Sequence, residues 1–332
     1  MVDFKAGAVA ATTPRTIEVL LGTHNGERFL REQIDSILQQ DYSPVRILAR
    51  DDASTDGTMA ILSHYAEQYP ERFTLLPDRE PSGGAQWNFL RLMQASEADF
   101  VCFADQDDVW LPGKISRSMR ALHDLEASYG ANVPLLVFSD LRVVDQELHS
   151  LHESYWANEV ICADDIHRLP RILQQNVVTG CTATLNRALV NLALRMPPEA
   201  PMHDCWVALI ASTMGHAAPL KEATVLYRQH GGNVVGATIG KSSLVELVQR
   251  ALLSNGRRAQ WIVQQRMAAA FLRVYGNEIP DAKRVVLETY LECGTARSGW
   301  TRVRMLFGHG FLRRGLLRNL ATAWELLRTP PS

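Results

Sequence analysis

Three apolar runs in the first 110 residues each end in a polar loop, and a helical pattern follows the first two directly. Ile17 to Leu21 reads as a strand that closes on Gly22-Thr23-His24-Asn25-Gly26. Phe29, Leu30, Ile34, Ile37 and Leu38 then recur along one side of a helix. Arg46-Ile47-Leu48-Ala49-Arg50 reads as a second strand. It delivers Asp51 and Asp52 into Ala53-Ser54-Thr55-Asp56-Gly57-Thr58, a turn leading to a helix N-cap. Phe100-Val101-Cys102-Phe103-Ala104 is β-branched and aromatic enough for a buried strand, and it runs straight into Asp105-Gln106-Asp107-Asp108. Strands alternating with helices predict a parallel sheet with right-handed crossovers, whose strand-end loops gather along one rim. Asp52, Asp105 and Asp107 would then share a cleft.

Asp105 and Asp107 are hard oxygen donors in a place where open α/β sheets bind ligands. Mg²⁺ or Mn²⁺ takes one or two protein carboxylates and completes its shell with water and substrate phosphate, so an Asp-x-Asp pair suffices for a diphosphate-bound ion. An acidic solvated turn would give the same three letters, and the second acidic cluster at Asp51-Asp52 is what favours the metal.

The segments LLGTHNGERFLREQIDSILQQDY, ILARDDASTDGT, WNFLRLM and FADQDDVWLPGKI resemble family 2 glycosyltransferases. The resemblance runs from about residue 17 to about residue 236. Within it VVTGCTATLN and YRQHGGNVVG are similar to a bacterial rhamnosyltransferase-like branch. It implies a GT-A fold, a Rossmann-like α/β domain for nucleotide-diphospho-sugars, and inverting transfer. Asp52, with Asp51, would contact the nucleobase and ribose of the donor. Asp105 and Asp107 would hold the metal on its diphosphate, and Thr23 and Asn25 would line the nucleotide pocket. Asn88, after Ser82-Gly83-Gly84-Ala85, is a further donor contact. Gly180 would permit close approach to a donor or acceptor sugar, and Trp206 lies in the same acceptor or sugar pocket. Trp87, Trp110 and Trp156 are equally candidates for stacking on sugar or for packing.

Inversion needs a carboxylate to take the proton of the acceptor hydroxyl. In Met202-His203-Asp204-Cys205-Trp206, after a proline-rich segment and before a helical run, Asp204 is the candidate base. The family commonly carries Glu-Asp here and this chain has His-Asp, which keeps the base and removes the preceding acid. In Tyr227-Arg228-Gln229-His230-Gly231-Gly232-Asn233, His230 is a candidate third metal ligand or diphosphate contact, and Arg228 a donor contact that neutralises phosphate. The Gln-x-x-Arg-Trp motif of processive synthases is missing.

Composition fits a soluble enzyme: 332 residues, 46% hydrophobic and 21% charged. Residues 1–14 carry neither a secretory signal nor a membrane span and are expected to be disordered. Residues 15–240 would form the catalytic domain. Five scattered cysteines without Cys-x-x-Cys spacing read as buried thiols of a reducing cytosol, not zinc ligands or disulfides. Residues 241–332 read as basic helices, with breaks near Asn255-Gly256, Gly276-Asn277, Gly294 and Gly308 to Gly310. They carry 15 Lys and Arg against 6 Asp and Glu, a balance of +9 that leaves −11 for the rest of a chain whose total is −2. From Phe311 to Arg328, Leu312, Leu316, Leu320 and Leu327 form a stripe with Trp324 beside it and Arg313, Arg314 and Arg318 opposite. Such a helix can rest on an anionic membrane or pack its leucines on the domain. The partners expected are a nucleotide-sugar donor, with dTDP-rhamnose leading and a UDP-hexose the alternative, and a lipid-linked precursor of a surface glycan as acceptor. The expected place is the cytoplasm, at the inner face of the membrane, with no nucleic-acid partner. A non-catalytic nucleotide-sugar scaffold is the competing class.

Overall fold

Alternate residues of the central strands point into two different cores, which is why those strands read as unbroken apolar runs. The structure is a computed structural model, and it describes residues 15–78, 80–231 and 256–328. The expectation for residues 1–14 therefore lies outside the described residues, as does that for 241–255.

Strands β1 (Ile17–Thr23), β2 (Val45–Asp51), β3 (Phe73–Leu75) and β4 (Phe100–Asp105) are parallel, in the order β3-β2-β1-β4. Beyond β4 the sheet becomes mixed. A short β8 (Thr184–Asn186) runs antiparallel between β4 and β6 (Leu135–Val144), and β9 (His216–Arg228) lies parallel to β6. The two-residue β5 (Val109–Trp110) closes that edge, and β7 (Ser150–His152) pairs with β6. Two antiparallel steps return β6 and β9 to the direction of β4, so Asp105 and Arg228 emerge on one rim.

Val19, Leu21, Ile47, Ala49 and Cys102 pack on one side of the sheet, beneath α1 (Leu30–Leu38), α2 (Thr58–Gln68) and α4 (Lys114–Tyr129). Leu20, Leu48, Val101, Phe103, Leu136 and Phe138 pack on the other, beneath α3 (Ala85–Ala95), α5 (Arg187–Ala193) and α6 (His203–Met214). The C-terminal helices α7 (Gly256–Tyr275), α8 (Asp281–Thr295), α9 (Gly299–Gly308) and α10 (Leu316–Arg328) continue this second core rather than starting one of their own. Phe271, Tyr275, Tyr290 and Leu306 belong to the same cluster as Trp206. Their ends fall at the expected breaks, at Gly276, near Gly294 and at Gly308. Among the described residues no helix is long and apolar enough to cross a membrane.

Candidate active site

The register of the parallel strands levels three loops. Thr23 pairs with Asp51, and Gly22 with Asp105, so the chain leaves β1, β2 and β4 at one height. The loops after β1 and β2 are then laced together. Asp51, buried, accepts from the Thr23 hydroxyl at 3.0 Å and from the amide and hydroxyl of Ser54 at 2.8 and 2.5 Å. Ser54 Oγ in turn accepts from the Asn25 amide at 2.7 Å, and Asn25 Oδ1 accepts from the Thr55 amide at 2.8 Å. Asn25 and Ala53 hold left-handed backbone, φ 51° and 60°, a conformation that asparagine tolerates and alanine keeps only where surrounding bonds impose it.

Arg50, a strand residue that hydrophobic patterning passes over, organises the next layer. Its fully buried guanidinium donates to Asp52 at 3.1 Å, Asp78 at 3.0 Å, the Asn88 side chain at 2.9 Å and the Glu80 carbonyl at 2.5 Å. Asp52 also accepts from the Ser82 amide at 2.5 Å and hydroxyl at 2.8 Å, which fastens the Ser82-Gly83-Gly84 loop over the strand ends. Asp51 and Asn88, expected as donor contacts, turn inward, as does Thr23, expected to line the nucleotide pocket. All three are buried and spent on these internal bonds, because a carboxylate or amide sunk among backbone donors is cheaper paired than exposed. They build the pocket wall, while Asp52 and Asn25 stand at its edge.

At the end of β4 the carboxylates meet a different environment. Asp105 is pushed up to about 7, first by burial and then by the negative charges of Asp107 and Asp204. Asp108, fully buried, is pushed well above the carboxylate range by burial and by Asp107 and Asp105; the Arg228 amide and the Cys181 thiol donate to it. His230 Nε2 lies 2.8 Å from Asp107 Oδ2, and its ring rests 5.1 Å from that of Phe29. These residues fit a divalent cation: Asp105 and Asp108, which burial and neighbouring negative charge hold back from ionising, gain a counter-charge when one binds. The donor atoms of Asp105, Asp108 and Cys181 also lie within 4.8 Å of one another. However, burial keeps that thiol protonated, and hard cations take oxygen before a neutral sulfur.

Arg228 does not take the donor role expected of it. Only 1% exposed, its guanidinium donates to the Asp107 carbonyl at 2.9 Å, to Glu32 at 2.5 Å and to the Gln146 carbonyl, and it sits over the Phe29 ring. It braces the Asp107 turn against α1. Lys114, equally buried, plays a similar part below, reaching the Thr182 carbonyl and the Trp110 ring.

Asp204 occupies the first turn of α6 and is pushed up to about 6 by burial, against the opposing hydrogen bonds from Cys205 and the Gly180 amide. Asp204 lies close enough to Asp105 for its charge to raise that carboxyl. His203 points the other way. Both ring nitrogens are buried without a hydrogen-bond partner, the ring packs 4.1 Å from Phe89 and 4.7 Å from Phe103, and burial drives the imidazole down to about 3. It is therefore a neutral packing group where the family's acid would sit. A side chain at Gly180 would come within 2.9 Å of this ring, so the close approach that glycine allows is to His203. Trp206 is likewise corrected: it is wholly buried against Phe271 and Tyr275, in the core rather than in a sugar pocket. Trp110 and Trp156 are also core residues. Tyr155, which patterning missed, is the aromatic group on this side. Burial leads in raising its phenol to about 12, followed by the charges of Glu159 and Asp204.

A parallel half-sheet with laced loops, a mixed second half, and acidic strand ends facing a helix-borne carboxylate are the GT-A arrangement of glycosyltransferases. Residues 18–135 match the family model of glycosyl transferase family 2. The chain is 28% identical over 231 residues to the dTDP-rhamnosyl transferase RfbG of Shigella flexneri, covering 66% of this chain and 74% of that one. S. aureus TarS 1–349, solved with UDP-GlcNAc, superposes with a TM-score of 0.56 at 14% identity over 89% of this chain and 80% of that one. The mannosyltransferase PcManGT from Pyrobaculum calidifontis, solved with GDP-Man and Mn²⁺, gives 0.51 at 18% identity over 95% and 80%. The protein is a glycosyltransferase of GT-A fold.

Proposed function

We propose that residues 15–240 catalyse inverting transfer of a sugar from a nucleoside diphosphate to a hydroxyl of a bacterial surface-glycan precursor, with residues 241–332 as a helical appendage. What supports this reading is that Asp105 lies near enough to both Asp107 and Asp204 for their charges to raise its carboxyl. Asp204 accepts the proton of the attacking hydroxyl. Its raised proton affinity makes it a better base than a free carboxylate while leaving it ionised at neutral pH. Asp52 and Asn25, at the edge of the laced loops, receive the nucleoside. Asp105 and Asp107, with His230 held on Asp107, hold Mg²⁺ or Mn²⁺. That ion, when bound, supplies the positive charge that stabilises the departing diphosphate. Rhamnose from dTDP-rhamnose is the donor favoured, since RfbG bears that activity in its name.

Thermal-shift titration tests this with dTDP-, UDP- and GDP-sugars, each with and without Mg²⁺ or Mn²⁺, on the wild type and Asp105→Ala. The expected result is metal-dependent stabilisation by dTDP-rhamnose that the variant loses. Stabilisation by UDP-sugars alone would replace the donor, and no stabilisation by any nucleotide would defeat the reading.

A further inference from the structure

We propose that the outward faces of α9 and α10 dock the protein on an anionic membrane surface. An amphipathic helix on a globular protein ordinarily buries its leucines. In α10 the buried positions are Asn319, Ala321, Ala323 and Leu326, whereas Leu316 is 70% exposed and Leu317, Leu320 and Trp324 are exposed with it. Leu316, Leu320 and Trp324 recur every fourth residue and share one face. Polar anchors hold the helix this way round. Arg314 makes two bonds to Asp165, at 2.7 and 2.8 Å, and Arg318 donates to the Glu159 carbonyl at 2.9 Å. Asn319 both accepts from the Arg313 amide and donates to the Arg313 carbonyl.

The neighbouring helix repeats the pattern. Trp300, 75% exposed, shares the outer side of α9 with Arg304 and Phe307, while Arg302 and Leu306 are buried beneath. A side chain on Gly299 would lie 2.8 Å from Leu327 Cα, so Trp300 sits beside the end of α10. Single exposed leucines need no explanation, but six large apolar side chains on two adjoining helices do.

Charge selects the occupant. Residues 297–328 carry seven arginines and one glutamate. Arg297, Arg304 and Arg328 are exposed among the apolar groups, and the Arg328 guanidinium lies 5.4 Å over the Trp324 ring. Two such faces repel each other, whereas an anionic lipid surface takes the apolar side chains at its headgroup boundary and pairs the arginines with phosphate. The charges of Asp204 and Arg318 both act on Tyr155, so the anchored side of α10 lies toward Asp204. What docking serves, access to a lipid-linked acceptor, rests on the transfer reading above; the docking itself does not.

The test is flotation of the full chain with phosphatidylcholine vesicles, with and without 30% phosphatidylglycerol (roughly the anionic fraction that gives a surface potential of tens of millivolts), at low and high salt. Light scattering without lipid accompanies it. Wild type should partition at least tenfold more onto anionic vesicles than onto neutral ones, and high salt should reverse this (roughly the effect of one or two arginines at a charged surface). Leu320→Glu/Trp324→Glu should lose most of that partitioning, while Val285→Glu, an exposed apolar position on α8, should not. Unchanged melting and nucleotide-induced stabilisation would show that both variants are folded. No preference for anionic vesicles, retention by the double variant, or a lipid-free dimer that the double variant dissociates would each overturn the proposal. Loss of nucleotide stabilisation in wild type would strike the transfer reading and leave the vesicle result standing.

Discussion

The same side chain does opposite work on the two sides of this cleft. Around β1 and β2 the aspartates are surrounded by donors. Asp78 is drawn down to about 2, first by the Glu80 amide and also by Arg91 and Arg50. Asp56 also ends below its ordinary value, because hydrogen bonds from Thr58 and Glu27 outweigh a burial effect that acts upward. Around β4 and α6 burial and like charge win, and Asp105 and Asp204 are pushed up to about 7 and about 6. Satisfied carboxylates build walls; frustrated ones wait for a cation or a proton. The largest effect should therefore come from the frustrated side. Asp204→Asn keeps the shape and removes the base, and should cut kcat about 10³-fold, or about 4 kcal/mol, while donor affinity stays within about threefold. Steady-state kinetics beside donor calorimetry would check it; a parallel loss of donor binding would put Asp204 among the wall-builders.

On the other side the heaviest loss is structural. Arg50→Met leaves Asp52, Asp78 and Asn88 facing an apolar stem, and breaking a buried charge network of this kind costs about 3 kcal/mol. Urea unfolding should show the drop, with weaker donor binding as its by-product. A change below about 0.5 kcal/mol would mean that water replaces the guanidinium and the network is decorative.

The contrast also has a pH signature. Asp204 is raised in the fold, so its stabilising contribution is complete below its unfolded value, near 3.8, and is lost as pH rises through about 6. In metal-free protein, Asp204→Asn should match wild type near pH 4 and exceed it by about 3 kcal/mol at pH 7.5. Melting curves of the pair across that range would reveal it. Asp78, drawn down, acts with the opposite sign, so wild type should gain on Asp78→Asn as pH rises from about 2 to about 4.

Much of this was legible in the chain. The apolar runs at Ile17, Arg46 and Phe100 define β1, β2 and β4, and glycine breaks mark the C-terminal helices, because both signals are local. The second half of the sheet was not. β9 runs from His216 to Arg228, but Pro219, Lys221 and Glu222 interrupt its apolar pattern and the pairing with β6 slips around Asp140. Periodicity showed that α10 has a leucine face but not which way it turns; Asp165 and the Glu159 carbonyl, more than 140 residues earlier, decide that. Asp51, Asn88, Arg228 and Trp206 have the right residue type near the right place, and only packing reveals that each is consumed by a structural partner.

The smallest effect is the most discriminating about preorganisation. Ser54 is the rivet between the loops after β1 and β2, donating to Asp51 at 2.5 Å and accepting from the Asn25 amide at 2.7 Å. Ser54→Ala removes both bonds at a half-buried position where water can substitute, so stability should fall by only about 1 kcal/mol. Ala53, however, keeps left-handed backbone against its own preference, and the rivet is part of what holds it there. Donor affinity should therefore fall more than stability implies, by about tenfold, because binding must first restore the loops. If affinity instead tracks the small stability loss, the remaining bonds around Asp51 and Asn25 suffice, and the wall is stiffer than this single contact.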